Sequence, residues 1–99
     1  MLRIKDNVDL KELEKFRFSK VYKYKGSLKW GLYGTLKGFS FTLYDENENS
    51  KNDIIYIDKK SRIVEVEDFD FTNKEKVENA RSEIINNLIQ AGLVEKVEE

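Results

Sequence analysis

Seven bases and no acid fall between positions 15 and 44: Lys15, Arg17, Lys20, Lys23, Lys25, Lys29 and Lys37. The same stretch holds nine of the twelve aromatic residues, Trp30 among them. Lysines set between aromatic rings can neutralise phosphates while the rings stack on bases, each stack being worth ~1–3 kcal/mol. The same pattern also arises when lysines keep the edge of a small sheet soluble and the rings point into a core. Nucleic-acid-binding domains are basic overall, whereas this chain has a formal net charge of −1. The candidate binding surface is Lys20, Tyr22, Lys23, Tyr24, Lys25, Lys29, Trp30 and Tyr33. A protein partner is expected ahead of single-stranded nucleic acid.

The balancing acids lie in residues 45–99, which carry fifteen acids against eight bases. Glu65, Glu67, Asp68 and Asp70 are the densest group, beside Phe69 and Phe71, and form a second candidate surface. Such a strip can imitate a phosphate backbone and dock on a basic groove. It can equally be a solvated strand end that leads into a helix N-terminus, where acids are favoured.

Other chemistries find little support. The chain has no cysteine and no histidine, which removes thiolate nucleophiles, thiolate zinc sites and the usual proton shuttle near neutral pH. Asp45, Asn47 and Asn49 have calcium-loop spacing, but Ser50 stands where the loop needs glycine and Tyr56 where it needs a bidentate glutamate. Gly26 and Gly31 are spaced as in a phosphate-binding loop, but Leu32 replaces its lysine. Gly31-Leu32-Tyr33-Gly34 has a KH-like outline, yet it lies among strands. No acid pair stands out from the rest, so no enzyme, cofactor or metal is expected. The opening Met1–Asp6 lacks an apolar run, so no signal peptide is expected. Ile54–Ile57 is the longest apolar run and is far short of a membrane span. A cytoplasmic location follows as an expectation.

These residues need a scaffold. Ninety-nine residues suffice for one domain with one core. Asp9 reads as the N-cap of a short helix over about 9–16, its carboxylate accepting from the Glu12 amide, with Val8 and Leu13 as a hydrophobic staple. Strands are expected at Val21–Tyr24, around Leu28–Leu32, at Phe39–Tyr44, at Ile54–Ile57 and at Arg62–Glu67. Turns are expected at Gly26-Ser27, Gly38 and Asp58–Ser61. Thr72-Asn73-Lys74-Glu75 is a capping box, and Val77, Ala80, Ile84, Ile85 and Leu88 form a helical apolar stripe. Gly92 reads as its C-terminal stop, with Leu93 folding back on the last turn. A short edge strand is expected after it, in preference to the wing of a winged helix. The expected fold class is α+β. It comprises an antiparallel sheet of four to five strands, a short N-terminal helix and a long C-terminal helix, both packed on one face.

Two segments carry a resemblance. Ile4–Phe16 (IKDNVDLKELEKF) and Leu88–Val97 (LIQAGLVEKV) resemble the two ends of small uncharacterised proteins borne by phages and prophages of Gram-positive bacteria. The resemblance implies a shared fold and transfers no site residues. It implies a small accessory protein that binds a host or phage protein, inhibition of a defence nuclease being one such role. The expectation from the sequence is a non-catalytic intracellular interaction module, with single-stranded nucleic-acid binding by residues 15–44 as the alternative.

Overall fold

The computed structural model describes residues 1–28, 31–46, 50–66 and 74–97, with side chains at all of these except 24–28, 31–33, 45 and 50. Strand β1 (Leu2–Ile4) leads into a 3-10 helix (Leu10–Phe16). Strands β2 (Ser19–Leu28), β3 (Gly31–Asp45), β4 (Ser50–Asp58) and β5 (Val64–Val66) follow, then helix α1 (Lys74–Gln90) and strand β6 (Val94–Lys96). The sheet order β2-β3-β4-β5 is antiparallel throughout. A second sheet pairs β1 with β6, Arg3 opposite Glu95.

Alternation along the strands sorts the side chains. Phe18, Phe39, Phe41, Ile55 and Ile57 are buried on the inner face, where Leu13 of the 3-10 helix and Val77, Ile84 and Leu88 of α1 join them in one core. The outer face carries exposed Lys23, Thr42, Tyr44, Lys51 and Asp53. Cross-strand pairing of Thr42 with Asp53 is reinforced by a hydroxyl-to-carboxylate bond of 2.9 Å.

Four expectations are corrected. The N-terminal helix is a 3-10 helix, because Leu10, Leu13 and Phe16 recur every three residues, and that is the repeat at which 3-10 side chains align. Asp9 does cap it, but its carboxylate accepts from the Lys11 amide at 3.0 Å, while the Asp9 carbonyl takes the Glu12 amide. Gly26-Ser27 and Gly38 are not turns. They lie inside β2 and β3, which form one long hairpin closed by Leu28 opposite Gly31. The strand expected around Leu28–Leu32 is not one strand, since Leu28 ends β2 and Gly31 begins β3; the short edge strand expected after α1 is present as β6, paired with β1 in the second sheet.

Helix α1 ends as the sequence predicts. Gly92 has φ +73°, its amide donates to the Ile89 carbonyl, and the Leu93 amide donates to Leu88, while Leu93 packs on the core. The capping residues Thr72 and Asn73 and the loop residues Asn47 and Asn49 lie outside the described residues. No described helix is long and apolar enough to cross a membrane.

A cationic cleft with an apolar floor

The inner face of the β2–β3 hairpin runs past the cover of the 3-10 helix. There it forms the floor of an open cleft of about 540 Å³. Leu36, Val8 and Leu10 supply half-buried apolar surface above the buried Phe39, and Lys11, Lys20, Lys59 and Arg62 surround it. Asp6 and Asp9 also line it, but both are engaged. Asp6 pairs with Arg3, whose guanidinium hydrogen-bonds its carboxyl and lowers its pKa, and Asp9 caps the 3-10 helix. No acid among the described residues lies within ion-pairing distance of Lys11 or Lys59, and Lys20 reaches Glu14 only at 3.7 Å. The cleft therefore presents net positive charge over half-buried hydrocarbon.

Register explains how Lys20 and Tyr22 reach it. Lys20 lies opposite Phe39 and Tyr22 opposite Leu36, so both share the inner face. Lys37 is the extra residue of a bulge in β3, which turns the hairpin at this point.

Two walls close the cleft. One is the loop of residues 5–9, held by Arg62, whose Nη1 donates to the carbonyls of Lys5 and Val8 at 2.7 and 2.8 Å. The other is the turn Asp58–Arg62. Asp58 Oδ2 accepts from the amides of Lys60 and Ser61 at 2.8 and 3.1 Å, and Arg62 completes the turn at φ +63°. The turn is also fixed from the outer face. The Tyr56 hydroxyl points between Asp58 Oδ1 and the Lys37 carbonyl, each 3.2 Å away. Burial, and then the Asp58 hydrogen bond, push the Tyr56 phenol up to about 12. Its ring lies beneath the Lys37 ammonium, 5.3 Å from the centroid.

The backbone amides of Ser61 and Lys60, in that order of effect, hold the Asp58 carboxyl below its ordinary value. A depressed folded-state pKa gives stability that is present above the ordinary carboxylate value and lost as pH falls through the lower one. Asp58→Asn keeps an acceptor for both amides but does not titrate. Its urea-denaturation stability should fall less steeply than that of the unmodified chain below pH about 4. An identical acid limb in the two proteins would contradict this role.

The predicted surfaces divide. Lys20 and Tyr22 meet at the cleft, and Tyr22 is 44% exposed. Lys23 is exposed on the opposite face, since it is an odd number of positions from Lys20 with no extra residue of β2 between them. Lys25 is the extra residue of a second bulge, while Tyr24 and Tyr33 occupy β2 and β3. Lys29 and Trp30 lie outside the described residues. Of the acidic group, Glu65 is exposed on β5 opposite Tyr56, and Glu67, Asp68 and Asp70 lie outside the described residues. Sequence reasoning missed Lys11, Lys59, Arg62 and Leu36 as site residues because they meet only through tertiary packing. Among the described residues no group of three or more acids could hold a metal ion. No family model, no curated protein and no solved structure matches this chain.

Proposed function

We propose that this chain is a non-catalytic interaction module that binds an acidic, apolar-anchored segment of another protein in the cleft. The observation that carries the reading is the pairing of an open, half-buried apolar floor, Val8, Leu10 and Leu36, with the cations Lys11, Lys20 and Lys59 around it. An apolar side chain on the floor supplies affinity, and flanking carboxylates supply orientation and faster encounter. The role of a phage accessory protein that binds a host or phage protein fits such a module, with the partner's identity to be read from the segment that binds.

The test uses labelled peptides with one aromatic residue and acidic, neutral or basic flanks, titrated by fluorescence anisotropy. The acidic peptide should bind best. Lys20→Glu with Lys59→Glu should weaken it by about tenfold or more, while Lys51→Glu, on the outer face, should leave it unchanged. Equal binding of all three peptides, or equal loss in both variants, would contradict the reading. A single-stranded oligonucleotide that binds at low salt while the acidic peptide does not would transfer the role to nucleic acid.

A further inference from the structure

Strand β2 is the end strand of its sheet, paired with β3 on one side and with no described strand on the other. Its ten residues include Lys20, Lys23 and Lys25 and no acid. From Ser19 to Tyr24 the strand has no extra residue, so its outer edge presents a regular row of backbone groups up to the bulge at Lys25. Such an edge is a template for another strand. A second copy adding its own β2 would gather six lysines and no acid in one two-strand strip, so the edge disfavours self-pairing.

We propose that the partner segment binds in extended form, adding a strand to the edge of β2 while its inner-face side chains enter the cleft. This rests on the cleft reading and adds the binding mode and a residue pattern. Directly opposed side chains share a face. The residue opposite Lys20 then falls at the cleft mouth and is matched by an acid. The residue opposite Tyr22 lies over the cleft and is matched by an apolar group. On the outer face, half-buried Val21 calls for an apolar residue and exposed Lys23 for an acid. The partner motif is therefore acid–apolar–apolar–acid. The order reads the same from either end and so serves a parallel or an antiparallel strand.

The experiment titrates the whole chain with four synthetic peptides, the last two being the two phases of one N-methylated design. The first has the core glutamate–valine–phenylalanine–glutamate. The second has the same composition in the order valine–glutamate–glutamate–phenylalanine. The third and fourth repeat the first with N-methylated amides at alternate positions, one in each phase. The first should bind, with shifts at the Ser19–Tyr24 amides. The permuted peptide and one of the two N-methylated phases should bind about tenfold more weakly or worse. If all bind alike and Lys20→Glu still weakens them, the cleft reading stands and strand addition falls. If none binds, both fall.

Discussion

Gly38→Val is expected to destabilise the chain by about 3 kcal/mol or more, a large share of the ~5–15 kcal/mol typical of a small domain. A Cβ at this position would stand 2.4 Å from the Ile57 carbonyl oxygen and 2.7 Å from the Tyr56 hydroxyl. The phenol could swing away, but the carbonyl belongs to the central strand pair, Gly38 opposite Asp58 and Phe39 opposite Ile57, and cannot yield without shifting that ladder. Glycine is present because the Ile57 carbonyl and then the Tyr56 ring crowd this point of the outer face. Urea denaturation followed by circular dichroism reads the effect. Gly38→Ala should lose less, and adding Tyr56→Phe should restore little of it, because the backbone clash remains. A valine variant within about 0.5 kcal/mol of the original would contradict the packing described.

Arg62→Ala is the second large effect, at about 2–3 kcal/mol. One guanidinium nitrogen satisfies two backbone carbonyls of the N-terminal loop, and hydrogen bonds from a charged donor are worth ~1.5–3 kcal/mol each before water replaces them. Alanine would also keep the left-handed backbone, φ +63°, that non-glycine residues adopt at a cost. Arg62→Gly should therefore recover about 1 kcal/mol of the loss. An alanine variant as stable as the glycine one would place the φ strain elsewhere. Because Arg62 fastens the loop that walls the cleft, both variants should also bind the acidic peptide less well at temperatures where they remain folded.

The legible parts of this fold are those set by neighbours in sequence. The α1 stripe, the Gly92 stop, the Asp58–Ser61 turn and the alternation of Phe39, Phe41 and Leu43 are local patterns, and each stands where the residues predict. The misread parts depend on distant partners. Gly38 signals a turn by composition, but the long strand needs it where the Ile57 carbonyl and the Tyr56 ring leave no room for a Cβ. Leu2–Ile4 has only three residues and pairs with strand β6 at the far end of the chain. Leu10, Leu13 and Phe16 did hold the 3-10 signal in their three-residue spacing, but a staple and cap read equally well as an α-helix.

The site follows the same division. The basic aromatic stretch was visible as a block of charge, yet pleating sends Lys20 and Lys23 to opposite faces, so the block is not one surface. What gathers Lys20 with Lys11, Lys59 and Arg62 is the packing of a loop and a turn from the two flanks of the sheet. The Asp58–Arg62 turn carries three bases and one acid, but the 5–9 loop has one base and two acids, so a count of charge along the chain does not bring the two together.

Binding is expected on the inner face of the hairpin. Nuclear magnetic resonance shift mapping of the whole chain with the acid–apolar–apolar–acid peptide tests it most directly. Saturable shifts should gather at Val8, Leu10, Lys20, Tyr22, Leu36 and Phe39 and spare Thr42, Tyr44 and Lys51. Shifts concentrated on Thr42, Tyr44 and Lys51, or no saturable shift at any residue, would contradict it.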